Sequence, residues 1–249
     1  MAFVVQMRDT VGGFTKEAQM KKTTKIGLWI GGAVLVVAGA AVTVGPYLYT
    51  GYQSNLASAV PALNPGEAAS GTTVDVRHLS GTWAVGKGSF AGYRVKEVLL
   101  GQNATVTGRT NAVAGFVTIK GLVLTGATIS VDVGSIATTE PARDAYFRDT
   151  ALQVSQFPKA TFNLTNPVTA VRPTPGQPQS STATGELRLH GVTRPVTVML
   201  NAVLTKHGGE VTGSIPITFT DFGVQAPSLG FVTVEGTGSI EFLLDLTQH

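Results

Sequence analysis

No cysteine occurs among the 249 residues. That excludes a disulfide scaffold, an iron–sulfur cluster, a thiolate zinc site and a cysteine nucleophile together. Charge is sparse as well. Asp, Glu, Lys and Arg make up 13% of the chain, against about 25% in ordinary soluble domains, which argues against long polyelectrolyte segments and charged helical solenoids. Motifs for catalysis are missing too. The four histidines, His78, His190, His207 and His249, show no HxH or HExxH spacing, and there is no GxSxG elbow, so the chain is expected to be no enzyme and to carry no metal or cofactor. Gly81-Thr-Trp-Ala-Val-Gly86-Lys87-Gly88 imitates a phosphate loop. A phosphate loop must lead into a helix N-terminus whose amides hold the anion, whereas SFAGYRVKEVLL follows here, with the aromatic and β-branched content of a strand.

The positive charge is local. Arg8, Lys16, Lys21, Lys22 and Lys25 against Asp9 and Glu17 account for the whole formal +3. The remainder is balanced, which excludes binding to nucleic acid through a basic surplus. From Ile26 to Tyr49 no charged residue occurs, and a helix of that length crosses a hydrocarbon core of about 30 Å. With lysines just before it, the segment is expected to be a single-pass transmembrane helix at the cell membrane, its N-terminus cytoplasmic and the rest extracytoplasmic. Trp29, Tyr47, Tyr49 and Tyr52 occupy interfacial positions. A cleaved signal peptide is the alternative, with Ala57-Ser58-Ala59 as cleavage site, although the apolar run exceeds the usual signal core. Gly31, Gly32 and Gly39 offer a small-residue face for a homodimer. The expected organisation is a basic tail (1–25), a membrane helix (26–49), a small, polar, Pro-punctuated tether (50–73) and an exported domain (74–249).

In that domain the hydrophobic period is two. Val232, Val234, Ile240, Phe242, Leu244 and Leu246 share one face at the C-terminus, with Glu235, Glu241 and Asp245 on the other. The same alternation marks Val196/Val198/Leu200, Ile215/Ile217/Phe219, Ile129/Val131/Val133 and Leu187/Leu189. Each reads as a half-buried strand, and turn-rich breaks separate them. About eight strands are expected to close into an antiparallel all-β barrel. Gly108, Gly115, Gly121, Gly213, Gly236 and Gly238 are read as bulges and bends that let the sheet curl. One segment lacks alternation: Pro141-Ala-Arg-Asp-Ala-Tyr-Phe-Arg-Asp reads as a short helix across one end of the sheet, capped by Thr138 or Thr139, with Tyr146 and Phe147 inward. Its Arg143-Asp144 and Arg148-Asp149 pairs serve either as surface ion pairs or as fasteners to the barrel rim.

Three stretches carry a resemblance. They are Val133 to Asp144 continuing through Gln156-Phe157-Pro158-Lys159-Ala-Thr161-Phe162, then Gly185-Glu-Leu-Arg-Leu-His190-Gly191-Val-Thr193-Arg194-Pro195-Val, and Asp221-Phe222-Gly223-Val. In this order, within Trp83 to Leu246, they resemble the signature of the YceI-like family. The resemblance implies a lipocalin-like, eight-stranded antiparallel barrel with an elongated apolar cavity for polyisoprenoids or similar long-chain amphiphiles, in proteins that are mostly exported and without known catalysis. Many members carry a histidine after the Val-x motif of the second strand. This chain reads Arg94-Val95-Lys96-Glu97 there, which withholds from it any head-group role of that histidine.

The function so implied is sequestration or transport of an isoprenoid or other long-chain lipid by a membrane-anchored barrel. The candidate lining residues are Phe90, Tyr93, Phe116, Ile129, Val131, Tyr146, Phe147, Phe157, Phe162, Leu164, Leu187 and Phe219. A non-catalytic structural or interaction barrel at the cell envelope, with a packed interior, is the alternative.

Overall fold

The structure is a computed structural model that describes residues 48–64 and 75–248, apart from 229 and 231. The chain divides into Met1–Leu48 and Tyr49–His249, and the barrel belongs to the second unit. The expected membrane helix falls, but for its last two residues, outside the described residues. Among the described residues no helix is long and apolar enough to cross a membrane.

The described residues open with a helical stretch, α1 (residues 48–56). Eleven strands then form one sheet: β1 (Gly81–Val85), β2 (Phe90–Leu99), β3 (Gln102–Thr110), β4 (Val113–Lys120), β5 (Val123–Asp132), β6 (Lys159–Leu164), β7 (Val168–Thr169), β8 (Gln179–Leu189), β9 (Val192–Leu204), β10 (Gly209–Thr218) and β11 (Val232–Gln248). They make eight staves. β1 and β2 are halves of one stave broken at 86–89, and β3 and β4 are halves of the next, broken at 111–112. Asn111 Nδ2 donates to the Ser89 carbonyl at 3.0 Å and ties the two breaks together. Every stave pairs antiparallel with its sequence neighbours, and β11 closes the ring by pairing both β2 (Ile240↔Tyr93) and β1 (Val85↔Leu246). The expected closed, eight-stranded antiparallel barrel with one short helix is therefore the observed fold.

One end of the barrel is plugged. The 3-10 turn Val133–Ser135, the helix α2 (Pro141–Tyr146) and the 3-10 turn Phe219–Phe222 cover it. Beneath them Val133, Ile136, Leu152, Leu189, Phe222 and Val224 form a buried cluster. Fully burying each such side chain contributes about 1.5–3 kcal/mol. The fastener reading of the Arg/Asp quartet holds for its first half: Arg143 Nη2 meets Glu97 Oε1 of β2 at 3.3 Å, and the buried Asp144 carboxylate accepts from the Thr138 amide at 2.9 Å and its hydroxyl at 2.8 Å. The helix cap differs from expectation. Glu140 is the N-cap and makes no side-chain cap bond, Pro141 opens the helix, and Thr138 is held by the helix rather than capping it. Past Tyr146 the helix widens into a π turn, Phe147–Ala151, which lays Phe147 on Tyr93 with ring centroids 4.9 Å apart.

Burial pushes the Tyr93 phenol up to about 12, against about 10 in an unfolded chain. With the folded value raised, this contribution to stability is fully present below pH 10 and is lost as pH climbs to 12, because the unfolded chain gives up its proton first. At about 1.36 kcal/mol per unit the loss comes to about 2–3 kcal/mol. Urea unfolding between pH 9 and 12 should therefore show a shallower alkaline decline for Tyr93→Phe than for the wild type.

The strand glycines divide by cause. Gly238 sits at the register shift of β11 against β2, as a bulge residue should. Gly213 is covered by an aromatic ring instead: a Cβ there would overlap Phe242, its directly paired neighbour on β11. Gly213→Ala should cost about 1–3 kcal/mol through overpacking, measurable by denaturant titration.

Residues 53–64, at the start of the stretch read as a tether, lie against the outer wall. Gln53 Nε2 of α1 donates to Glu140 Oε1 at 3.0 Å, and Ser54 Oγ accepts from the Thr105 amide on β3 at 3.2 Å. The Ser58 amide donates to Thr107 Oγ1 at 2.8 Å. The Ser58 carbonyl receives Arg94 Nη2 at 2.7 Å, and the Ala59 carbonyl receives Arg109 Nη2. The Asn64 amide reaches Glu210 Oε2 on β10 at 2.8 Å. This segment crosses four strands and buries a bidentate ion pair, Arg94 to Glu241 at 2.7 and 3.1 Å. Loss of hydration on burial holds the Arg109 guanidinium below its usual value, with the Glu241 carboxylate opposing.

Candidate functional site

The end opposite the plug is open. Its rim consists of the β4–β5 turn at Gly121 and Leu122, the connection from Ala170 to Gln179, the β9–β10 turn from Leu204 to Gly209, and Leu79. Inside lies a cavity of about 290 Å3, at the lower edge of the ~300–1,000 Å3 of small-molecule sites. Period-two alternation places its walls. β4 contributes Val117 and Ile119, and β5 contributes Leu124, Ala127, Ile129 and Val131. Ala160, Phe162 and Leu164 come from β6, Ala183 and Leu187 from β8, and Val198, Leu200 and Ala202 from β9. Val211, Ile215, Ile240, Phe242, Leu244 and Leu246 complete the ring beside Trp83, whose indole N–H is satisfied by the Leu79 carbonyl at 3.0 Å.

Polar groups are few and, apart from Thr161 of β6, gather at the rim. Gln177, Gln179 and Ser181 belong to the rim connection and the first residues of β8, and Glu210 of β10 borders the cavity with its carboxylate turned to the outer wall. Its Oε2 is engaged by the Asn64 amide. No imidazole, lysine or arginine among the described residues lines the wall. Among the described residues no group of three His, Asp or Glu side chains could hold a metal ion. His190 sits in the β8–β9 turn at the plugged end with φ of 50°. Its Nδ1 lies 3.1 Å from the Phe222 carbonyl. A carbonyl only accepts, so Nδ1 carries the proton and orders this turn against Phe219–Phe222.

Of the residues singled out from sequence, Ile129, Val131, Phe162, Leu164 and Leu187 stand together on the cavity wall. Tyr93, Phe147 and Phe219 pack into the plug, and Phe157 meets His190 edge-on at 4.9 Å. Tyr146 is half-buried on α2. Phe90 lies under the Arg109 guanidinium, 4.5 Å from its ring centre, and Phe116 is 49% exposed on the outer surface. Trp83, Ala127, Leu200, Phe242, Leu244 and Leu246 line the wall without having been singled out. For the last three and for Leu200 the signal is present in the sequence, since alternation places Phe242, Leu244 and Leu246 on one face with Ile240, and Leu200 with Val196 and Val198.

One solved structure agrees with the fold, and others are similar to a lesser degree. A polyisoprenoid-binding domain from Saccharophagus degradans, implicated in plant cell wall breakdown, superimposes with a TM-score of 0.53 at 18% identity, covering 68% of this chain and 99% of its own. BcnA of Burkholderia cenocepacia matches at 20% identity with a TM-score of 0.47, over 61% of this chain and 94% of its own. The YceI protein of Campylobacter jejuni matches at 14% identity with a TM-score of 0.40, over 55% and 81%. No curated protein matches the sequence. The YceI-like domain family itself matches residues 73–246, from just before the 3-10 turn at Val76–Leu79 to the last inward leucine of β11, and the chain belongs to that family.

Proposed function

We propose that this protein is a membrane-anchored, exported carrier that holds a polyisoprenoid or other long-chain amphiphile in its barrel cavity without chemically changing it. One observation carries the reading. The cavity is walled almost entirely by apolar side chains while its rim bears amide and hydroxyl groups, the polarity profile of a tail-in, head-out amphiphile. Each methylene-sized group that leaves water contributes about 0.8 kcal/mol. Ten such groups give about 8 kcal/mol before the cost of association, so the wall needs no specific polar contact to hold a chain. Membership of the YceI-like family and the likeness to a polyisoprenoid-binding domain support the same ligand class. The sequence supports anchoring through the uncharged run from Ile26 to Tyr49 behind Lys21, Lys22 and Lys25.

Native mass spectrometry of the full chain extracted in mild detergent is expected to show a co-purifying long-chain lipid. A cleanly empty barrel that also takes up no added prenol or long-chain quinone would overturn the reading.

A further inference from the structure

α1 has its polarity reversed. Thr50 and Gln53 are each 3% exposed, and Gln53 reaches Glu140 of the plug, whereas Tyr49 and Tyr52 are turned outward at 39% and 59% exposure, with Leu56 at 37%. A surface helix in water turns its apolar stripe inward. This one shows its stripe to the surroundings.

The β2–β3 turn does the same at a cost. Leu100 is 58% exposed and adopts φ of 48°, a left-handed conformation that glycine or asparagine takes far more readily than leucine. Nothing in the barrel's own packing requires a leucine there. No charged residue occurs between Glu97 and Arg109, nor between Lys25 and Glu67, so turn and helix are both free of charge. They also point the same way. Ser54 meets Thr105 and Ser58 meets Thr107, so α1 runs parallel to β3 and its first residues lie toward the Leu100 turn, at the plugged end of the barrel.

We infer that Leu100 and the outward stripe of α1 form a lipid-contact surface, seated in the bilayer interface with the cavity mouth turned away from it. The occupant is lipid because the 26–44 apolar run, long enough to enter a bilayer, ends a few residues before α1 in the sequence, and because tyrosines and an exposed leucine in segments free of charged residues suit the headgroup boundary. The inference rests on the membrane-associated reading of the chain.

The absence of cysteine makes the test direct. Single nitroxide labels at Leu100→Cys, Tyr52→Cys and, at the mouth, Val171→Cys, which is 76% exposed in the wild type, are placed in the full chain in phosphatidylethanolamine/phosphatidylglycerol vesicles. Power saturation then compares access by oxygen with access by a water-soluble nickel chelate. The oxygen-to-nickel ratio should be several-fold higher at 100 and 52 than at 171. Equal ratios at the three sites, or dipolar broadening at 100 that reports contact between copies, would sink the proposal. Carbonate extraction separates it from the anchor: a chain retained by the vesicles with an aqueous label at 100 overturns the lipid-contact surface alone. A chain that is extractable yet lipid-exposed at 100 before extraction supports the surface and overturns the anchor.

Discussion

Ala127→Phe should reduce uptake of a long-chain lipid at least tenfold, equivalent to at least about 1.4 kcal/mol, while leaving a folded barrel. Ala127 stands on the cavity wall in β5, paired with Val117 of β4. It is half-buried and packs against the Trp83, Leu244 and Leu246 cluster. A phenyl group there projects into the 290 Å3 space, replacing room that an acyl or prenyl chain would occupy. Because space is available, the overpacking cost stays at the low end of about 1–3 kcal/mol. Phe116→Ala serves as control: that side chain points to water, so its removal should leave uptake unchanged. Fluorescent-lipid titration checks binding, and thermal melting checks the fold. Undiminished uptake by Ala127→Phe would place the ligand elsewhere.

The largest stability effect is expected at Arg94. Its guanidinium binds both oxygens of Glu241, whose side chain is 8% exposed, and also holds the Ser58 carbonyl. Truncating one member of a buried pair strands the other charge away from water, at about 3–5 kcal/mol. Arg94→Ala should therefore lower the melting temperature by about 6–20 °C, at 2–4 °C per kcal/mol for a domain of this size. The double variant Arg94→Met/Glu241→Leu should recover most of that loss, because two apolar groups leave no stranded charge. A double variant as unstable as the single one would place the stabilisation in the Ser58 contact rather than in the pair.

The barrel was legible because alternation is a local property. Val196, Val198 and Leu200, or Ile240, Phe242 and Leu244, report which way a side chain faces without reference to the rest of the chain. What alternation does not report is height along the barrel axis. Phe219 and Tyr93 share the inward face of their staves with Ile215 and Ala91, yet they sit at the plugged end, where the 3-10 turns and α2 fill the interior. Several of the large aromatic side chains pack the plug, while the cavity wall is mostly Val, Leu, Ala and Ile. Phe116 alternates out of step with Val113, Val117 and Ile119, so its outward direction was readable. The docking of residues 53–64 was not, because it depends on arginines and carboxylates as remote as Arg94, Glu140 and Glu210. A run of small polar residues reads the same whether it hangs free or finds such partners.

The up-and-down order of the staves sets how this barrel assembles. Seven of its eight junctions join segments that follow one another along the chain, the longest connection being 133–158 between β5 and β6, so each closes a loop much shorter than the domain. The eighth is different. It joins residues near 83–99 to residues near 232–248, across most of the domain, and at the mouth it narrows to three residue pairs from Trp83↔Gln248 to Val85↔Leu246. Ring closure at this seam thus carries the largest loop-closure cost of the eight junctions, and the meander without it has two unpaired edges that only the seam hides.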